Sequence, residues 1–139
     1  MSNTDLVLKM YSYFNSGELQ KIREELFHPE IEWRMPGHHP LSGAHSGVDQ
    51  VMAFFEALFK AGIWVDGTHF GELDDGVVVE RHMGHAKVGE TEVLFPTVTT
   101  YGFRDGRIAQ VQVHTADQHG VDTYMWGQFT LRPIGERMA

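Results

Sequence analysis

The sequence predicts an α+β fold: a strongly curved, mostly antiparallel sheet wrapped around three helices, a cone-shaped half-barrel with an apolar pocket inside. Three observations carry that expectation. Before Gly62, apolar side chains recur at three- and four-residue steps in three separate stretches, the spacing of helices with one buried face. After Gly62 the period drops to two, which is the period of a strand. Asp74-Asp75-Gly76, Gly89-Glu90 and Asp105-Gly106 then divide the second half into four strands joined by tight turns. One face of such a meander has to cover the helices. A sheet curled over helices at one side leaves a cavity, a usual place for a small ligand.

Taken in order, Asn3 or Thr4 can cap a first helix, where Leu6, Met10 and Phe14, with Val7 and Tyr11 beside them, form one apolar stripe. Asn15-Ser16-Gly17 breaks it. Leu19, Ile22 and Leu26 share a face of a second helix, which His28-Pro29 stops because proline disfavours helical geometry in the residue before it. Ile31, Trp33 and Met35 alternate with Glu32 and Arg34 in a short strand closed by Pro36-Gly37. The loop GHHPLSGAHSG follows, and Gly47 introduces the strongest helix, with Val48, Val51, Met52, Phe55, Leu58 and Phe59 on one side. The meander strands run near Ile63 to Leu73, from Val77 to about Lys87, from Glu92 to Phe103, and through the stretch RIAQVQVHTADQHGVD, Arg107 to Asp122. Pro96 removes a ladder donor, so a bulge or a sheet edge is expected there. Residues after Gln118 can form a short helix, and 128–139 read as a loosely packed tail.

Composition narrows the function classes. At 139 residues, with 42% hydrophobic and 22% charged, the expectation is one domain over 1–139 of ordinary globular type. A net charge of −8 argues against nucleic acid and anionic membranes as partners, since both need clustered Lys and Arg. The absence of cysteine excludes disulfides and thiolate chemistry. MSNTDLVLKMYSYF has no basic stretch ahead of a long apolar core, and no apolar run approaches spanning length, so a cytoplasmic protein is expected.

Strand parity sorts the candidate chemistry. Ala109, Val111, Val113 and Thr115 form the buried row of the last strand, and counting on by twos reaches Asp117. That aspartate either presents an acid to the cavity or caps the helix that follows. On the strand after Asp75-Gly76, Val77, Val79 and Met83 count as inward, with Arg81 and His85 on their face. Glu80 and His82 count as outward, and a single bulge would invert any of these assignments. Inward Asp117, Arg81 and His85 would make an acid–base site: a buried carboxylate as general base, with arginine or histidine holding the resulting enolate oxygen. His38, His39 and His45 lie neither at helical i, i+4 spacing nor as an HxH strand pair, so no metal is expected. No nucleotide-binding motif is present, and no cofactor is expected.

The whole order of elements resembles a known group, through NSGEL between the first helices, FHPEIEWRMPG at the first strand, PLSGAHSG before the third helix and FRDGRIAQVQVHTADQ at the end. It is similar to the SnoaL-like branch of the nuclear-transport-factor-2-like superfamily, which includes polyketide cyclases, ketosteroid isomerases and scytalone dehydratase. The resemblance runs from about Asp5 to Trp126. The tyrosine that the isomerases place on the first helix falls on Met10. Their general-base aspartate falls on Met35 before Pro36, and their oxyanion-hole aspartate on Val98 after Pro96. All three positions are apolar, so that isomerase mechanism is not implied. SnoaL-like cyclases carry their base on the last strand, where Asp117 is the nearest match. Their accompanying histidine has no counterpart in Val93 to Phe103.

Two classes of function follow. The first is a cofactor-independent isomerase, cyclase or lyase acting on a small hydrophobic carbonyl compound. Asp117, His85 and Arg81 would be its catalytic residues, with Trp33, Met35, His39, Val98, Val113, Met10 and Phe55 around the substrate. An epoxide hydrolase is a subsidiary form. The second is a non-catalytic ligand-binding or assembly module. An enzyme needs at least two inward polar groups in reach of one cavity point, whereas a binder can manage with one. A homodimer through the outer sheet face is expected by analogy with the fold's relatives, using Gln110, Gln112 and His114 with Glu80 and His82.

Overall fold

A computed structural model describes residues 1–129 of the chain. Helix α1 (Asn3–Asn15) begins at Ser2, one residue earlier than the predicted caps. Ser2 Oγ accepts from the Asp5 amide, and the Asp5 carboxylate accepts from the Ser2 amide, a reciprocal capping box. Helix α2 (Leu19–Lys21) passes directly into a π-helical turn, Ile22–Leu26, that buries Ile22 and Leu26. Strand β1 (Phe27–Met35) follows, and within the predicted loop a short strand β2 (Gly43–Ser46) pairs back on it. Then come α3 (Val48–Lys60), β3 (Trp64–Glu72), β4 (Val78–Val88), β5 (Thr91–Arg104), β6 (Arg107–Thr115) and α4 (Gln118–Gln128). The tail predicted from Gln128 lies, beyond the end of α4 and Phe129, outside the described residues.

The six strands form one sheet in the order β2-β1-β6-β5-β4-β3, antiparallel throughout except between β1 and β6. This is the expected curved α+β architecture, with the short helix after Gln118 formed as α4 and β2 added to the five strands read from the sequence. The core lies between the concave face and α1 and α3. Trp33 of β1 is its centre, with ring centroids 4.8 Å from Phe55, 5.8 Å from Phe54, 6.2 Å from Phe27 and 6.3 Å from Tyr101. These separations are those of favourable edge-to-face and tilted aromatic pairs.

Register decides which side chains meet the cavity, and one irregularity governs it. In the β5–β6 hairpin Phe103 pairs with Ile108, but Gly102 pairs with Gln110, so Ala109 is an extra residue in the ladder. Beyond this bulge Tyr101 faces Val111 and Thr99 faces Val113. Because Val111 and Val113 point inward, so do Tyr101 and Thr99, and Val98 turns outward with 37% of its surface exposed. The β4–β5 ladder is unbroken from Val78↔Tyr101 to Val88↔Thr91 and hands that parity to β4. Val78, Glu80, His82, Gly84 and Ala86 therefore face the helices, while Arg81 and His85 face the other way. Pro96 has no bulge; it pairs regularly with Met83. The β5–β6 ladder begins one residue later, at Thr97↔Thr115, with the Pro96 carbonyl accepting from the Ala116 amide at 3.0 Å. The missing proline N–H thus falls at a ladder end, where none is needed.

Gly37 is the tightest turn in the loop after β1. Its φ is +99°, and a Cβ would collide with the Gln118 amide and the Asp122 carboxylate. Gly37→Ala should cost about 1–3 kcal/mol of stability, read as a lowered urea midpoint with an unchanged denaturant slope.

Candidate functional site

The cone encloses a half-open cavity of about 110 Å³. Its walls come from every layer: Met10, Tyr11 and Phe14 of α1; Phe54, Phe55 and Leu58 of α3; inward residues of the sheet; Val121 and Met125 of α4. No lysine, arginine or carboxylate is among the lining residues. Of the substrate residues expected from the sequence, Met10, Trp33, Met35, Phe55 and Val113 line this cavity. Val98 does not, because the hairpin bulge turns it outward. His39 is buried in the loop after β1, away from the lining, where desolvation holds its ring below the ordinary histidine value.

Behind one wall lies a polar cluster that parity counting had placed on the outer face. Glu80 is completely buried, 0% exposed. Its Oε1 accepts from the Tyr11 hydroxyl and, at 3.1 Å, from the Tyr101 hydroxyl. Its Oε2 lies 2.5 Å from His82 Nδ1. The two hydroxyls are 3.1 Å apart. Burial, with the Glu80 carboxylate beside Tyr11 and the neighbouring tyrosine beside Tyr101, pushes both phenols well above their ordinary range. Both therefore stay protonated and donate. Three donors on one acceptor-only carboxylate satisfy it without a lysine or arginine. His82 turns Nδ1 to Glu80, its Nε2 has no hydrogen-bond partner among the described residues, and it is His82, not Glu80, that lines the cavity.

The three residues expected to be catalytic lie elsewhere. Asp117 is exposed beyond the end of β6, and its Oδ1 accepts from the Gly120 amide at 3.0 Å as the N-cap of α4. The strand stops at Thr115, so counting by twos past it had no meaning. Arg81 is exposed on the outer face, opposite Val98. His85 shares that face: its ring stacks on Trp64 at 5.3 Å and sits between Asp66, 2.7 Å from Nε2, and Glu92 on Nδ1. The hydrogen bond to Asp66, with a further one to Glu92, raises its pKa from the ordinary value near 6.5. Glu80 and His82, expected on the outer face, are absent from it, so a pairing surface there could not use them.

Helix α4 is tied to the loop after β1 and to the end of α3 by polar contacts. The Trp126 indole donates to the His38 carbonyl at 2.7 Å, and Asp122 Oδ1 accepts from the His38 amide and from Gln118 Nε2. The Tyr124 hydroxyl donates to the Ala61 carbonyl at 2.6 Å, just past α3.

A curved, unclosed sheet packed on helices around an apolar cavity defines the class: an α+β fold of nuclear-transport-factor-2-like architecture. The chain belongs to the SnoaL-like domain family, whose model matches residues 7–111. An uncharacterized protein of Mycobacterium tuberculosis (strain H37Rv) is 34% identical over 74 residues, and that match spans 53% of each chain, so about half the length of this curated relative. Among solved structures, Bal32a from a soil-derived mobile gene cassette superposes with a TM-score of 0.81 at 25% identity, over 88% of this chain and 95% of its own. A chain from Jannaschia sp. CCS1 assigned to the SnoaL-like polyketide cyclases gives a TM-score of 0.67 at 19% identity, over 89% and 91%.

Two outcomes follow from these placements. Asp117→Ala should lose about 0.5–2 kcal/mol and Asp117→Asn almost nothing, because asparagine caps as well as aspartate; paired urea titrations measure both. A raised His85 pKa means that its proton stabilises the fold fully below the ordinary value and that this contribution fades as pH rises through the raised one. His85→Gln should therefore lower stability more at about pH 6 than at about pH 9, in denaturation curves taken at both.

Proposed function

We propose that this SnoaL-like protein is a cofactor-independent acid–base enzyme of the isomerase, cyclase or lyase type, acting on a small apolar carbonyl compound. His82 is its base. The observation that carries this reading is the Glu80–His82 contact of 2.5 Å, which orients a cavity-lining imidazole with Nε2 free. Glu80 touches no ligand space and serves as the positioning residue, fixing the tautomer and stabilising the imidazolium that forms when His82 takes a proton. That division of roles is the one a buried carboxylate and a histidine adopt in hydrolytic triads, here without a nucleophile. In the apolar cavity the charge pair is weakly screened, so proton transfer is favoured over what the same groups would achieve in water. Family membership supports the class of chemistry only broadly, since the fold hosts many functions.

A carrier is the second reading, favoured by the almost wholly apolar lining. One experiment separates them. Cyclohex-3-enone has α-hydrogens acidified by both the carbonyl and the double bond, and their exchange in D2O is followed by proton NMR. The wild-type protein should exchange them above the buffer rate, and His82→Gln should reduce that excess by about a hundredfold or more. Binding of the ketone without any exchange above buffer would establish the carrier instead.

A further inference from the structure

Among the described residues, five hydroxyl-bearing side chains line the cavity: Tyr11, Thr97, Thr99, Tyr101 and Thr115. Four of them have their proton committed elsewhere. Tyr11 and Tyr101 donate to Glu80, Thr97 to the Phe95 carbonyl at 2.9 Å, and Thr115 to Gln118 Oε1 at 2.5 Å. Thr99 makes no hydrogen bond among the described residues. Its Oγ1 is nevertheless not one of the sealed, unpartnered polar atoms, which are Trp33 Nε1 and His39 Nε2. It therefore keeps surface open to a water-sized sphere, and an oxygen placed there stands at hydrogen-bond distance. Register aims that surface at the cavity, since Thr99 pairs with Val113 on one side and Glu80 on the other, both inward. A buried hydroxyl without a partner costs free energy that valine, of the same shape, would not.

We propose that the Thr99 hydroxyl is the donor that receives the substrate's carbonyl oxygen, and that the site selects an uncharged carbonyl compound. This rests on the reading of His82 as base. His82 Nε2 is likewise unpartnered and unsealed. On β5, Thr97 lies opposite His82, and Thr99 follows two residues along the same face. Thr99 and His82 are thus diagonal neighbours, about 7–8 Å apart. The His82 ring is turned toward the carboxylate of Glu80, the residue opposite Thr99, which brings it along β4 toward that row. An α-carbon beside Nε2 with its carbonyl oxygen beside Oγ1 bridges the gap between the two side chains. When Nε2 removes the α-proton, the C–H electron pair forms the carbon–carbon double bond of the enolate. The carbonyl π pair moves onto oxygen, and that oxygen accepts the Thr99 hydrogen bond. The proton on Nε2 is then returned to the carbon skeleton, and Thr99 keeps its own proton throughout. An anionic substrate is disfavoured because no lysine or arginine lines the cavity to meet it.

The test pairs cyclohexanone with methylenecyclohexane, which replaces the oxygen by a CH2 group of similar shape. Thr99→Val keeps the shape and removes the hydroxyl, whereas Thr99→Ser keeps the hydroxyl; Thr99→Ala takes the place of valine if that variant does not fold. The ratio of ketone to hydrocarbon affinity should fall about five- to tenfold in Thr99→Val and stay within about twofold of wild type in Thr99→Ser. An unchanged ratio in Thr99→Val, or an equal fall in Thr99→Ser, overturns the proposal. The infrared carbonyl stretch of cyclohexanone bound to the wild-type protein should lie below its value in alkane and move back toward that value in Thr99→Val. A wild-type stretch at the alkane value, or no binding of the ketone, overturns the proposal without recourse to any variant. Failure of the His82 reading looks different: the affinity ratio and the stretch behave as expected while enone exchange stays at the buffer rate.

Discussion

A carboxylate removed from water must be met by hydrogen-bond donors or the fold pays several kcal/mol for it. Glu80 is such a group, and its three donors come from α1, β5 and its own strand β4. That requirement does more than satisfy a charge. Tyr11 can reach Glu80 only if α1 lies across the concave face at one rotation, the same rotation that buries Leu6, Val7 and Met10. Tyr101 can reach it only if β5 keeps its register on β4. The polar cluster therefore ties helix position to strand register, whereas an apolar contact would tolerate small slips. It also orients His82 from behind, so that the imidazole edge offered to the cavity is fixed by the core rather than by solvent.

The architecture was legible in the sequence because it depends on period, and the helical and alternating stretches are long. The site was not, because it depends on parity, which a single extra residue reverses. The Ala109 bulge sits between the β5–β6 turn and the residues that matter. Counting back from Asp105-Gly106 without it places Tyr101 and Thr99 on the wrong face. Composition hid the error further. In β4 the inward set is Val78, Glu80, His82, Gly84 and Ala86, while half-buried Val79 and Met83 lie outside, so hydrophobicity pointed the wrong way. A usable signal was present in the pairing itself. Val111 and Val113 were correctly read as inward, and a tyrosine opposite Val111 fills an aromatic core more plausibly than the glycine beside it. Glu80 could then have been placed from Val78 lying opposite Tyr101.

Asp117 shows the other limit of pattern reading. Its position two residues past the strand suited an acid at the cavity, and the backbone decided otherwise by turning into α4 one residue later. The helix it caps still matters to the site. Val121 and Met125 close part of the wall, and the helix is fastened at the loop after β1 and at the end of α3.

The cavity's lack of charge gives its few polar atoms their weight. In water an imidazole would discriminate little among carbonyl compounds, since solvent competes for every acceptor. In an apolar enclosure each unmatched polar atom of a ligand loses its hydration without replacement, so the positions of a few polar groups suffice to select and orient it. The tyrosines of the cluster have one task. Tyr11 and Tyr101 are engaged in keeping Glu80 supplied with donors; if either were diverted to a substrate oxygen, the buried carboxylate would lose a partner just as charge develops at His82. Held at Glu80, they leave the support of the base undisturbed when a proton is removed.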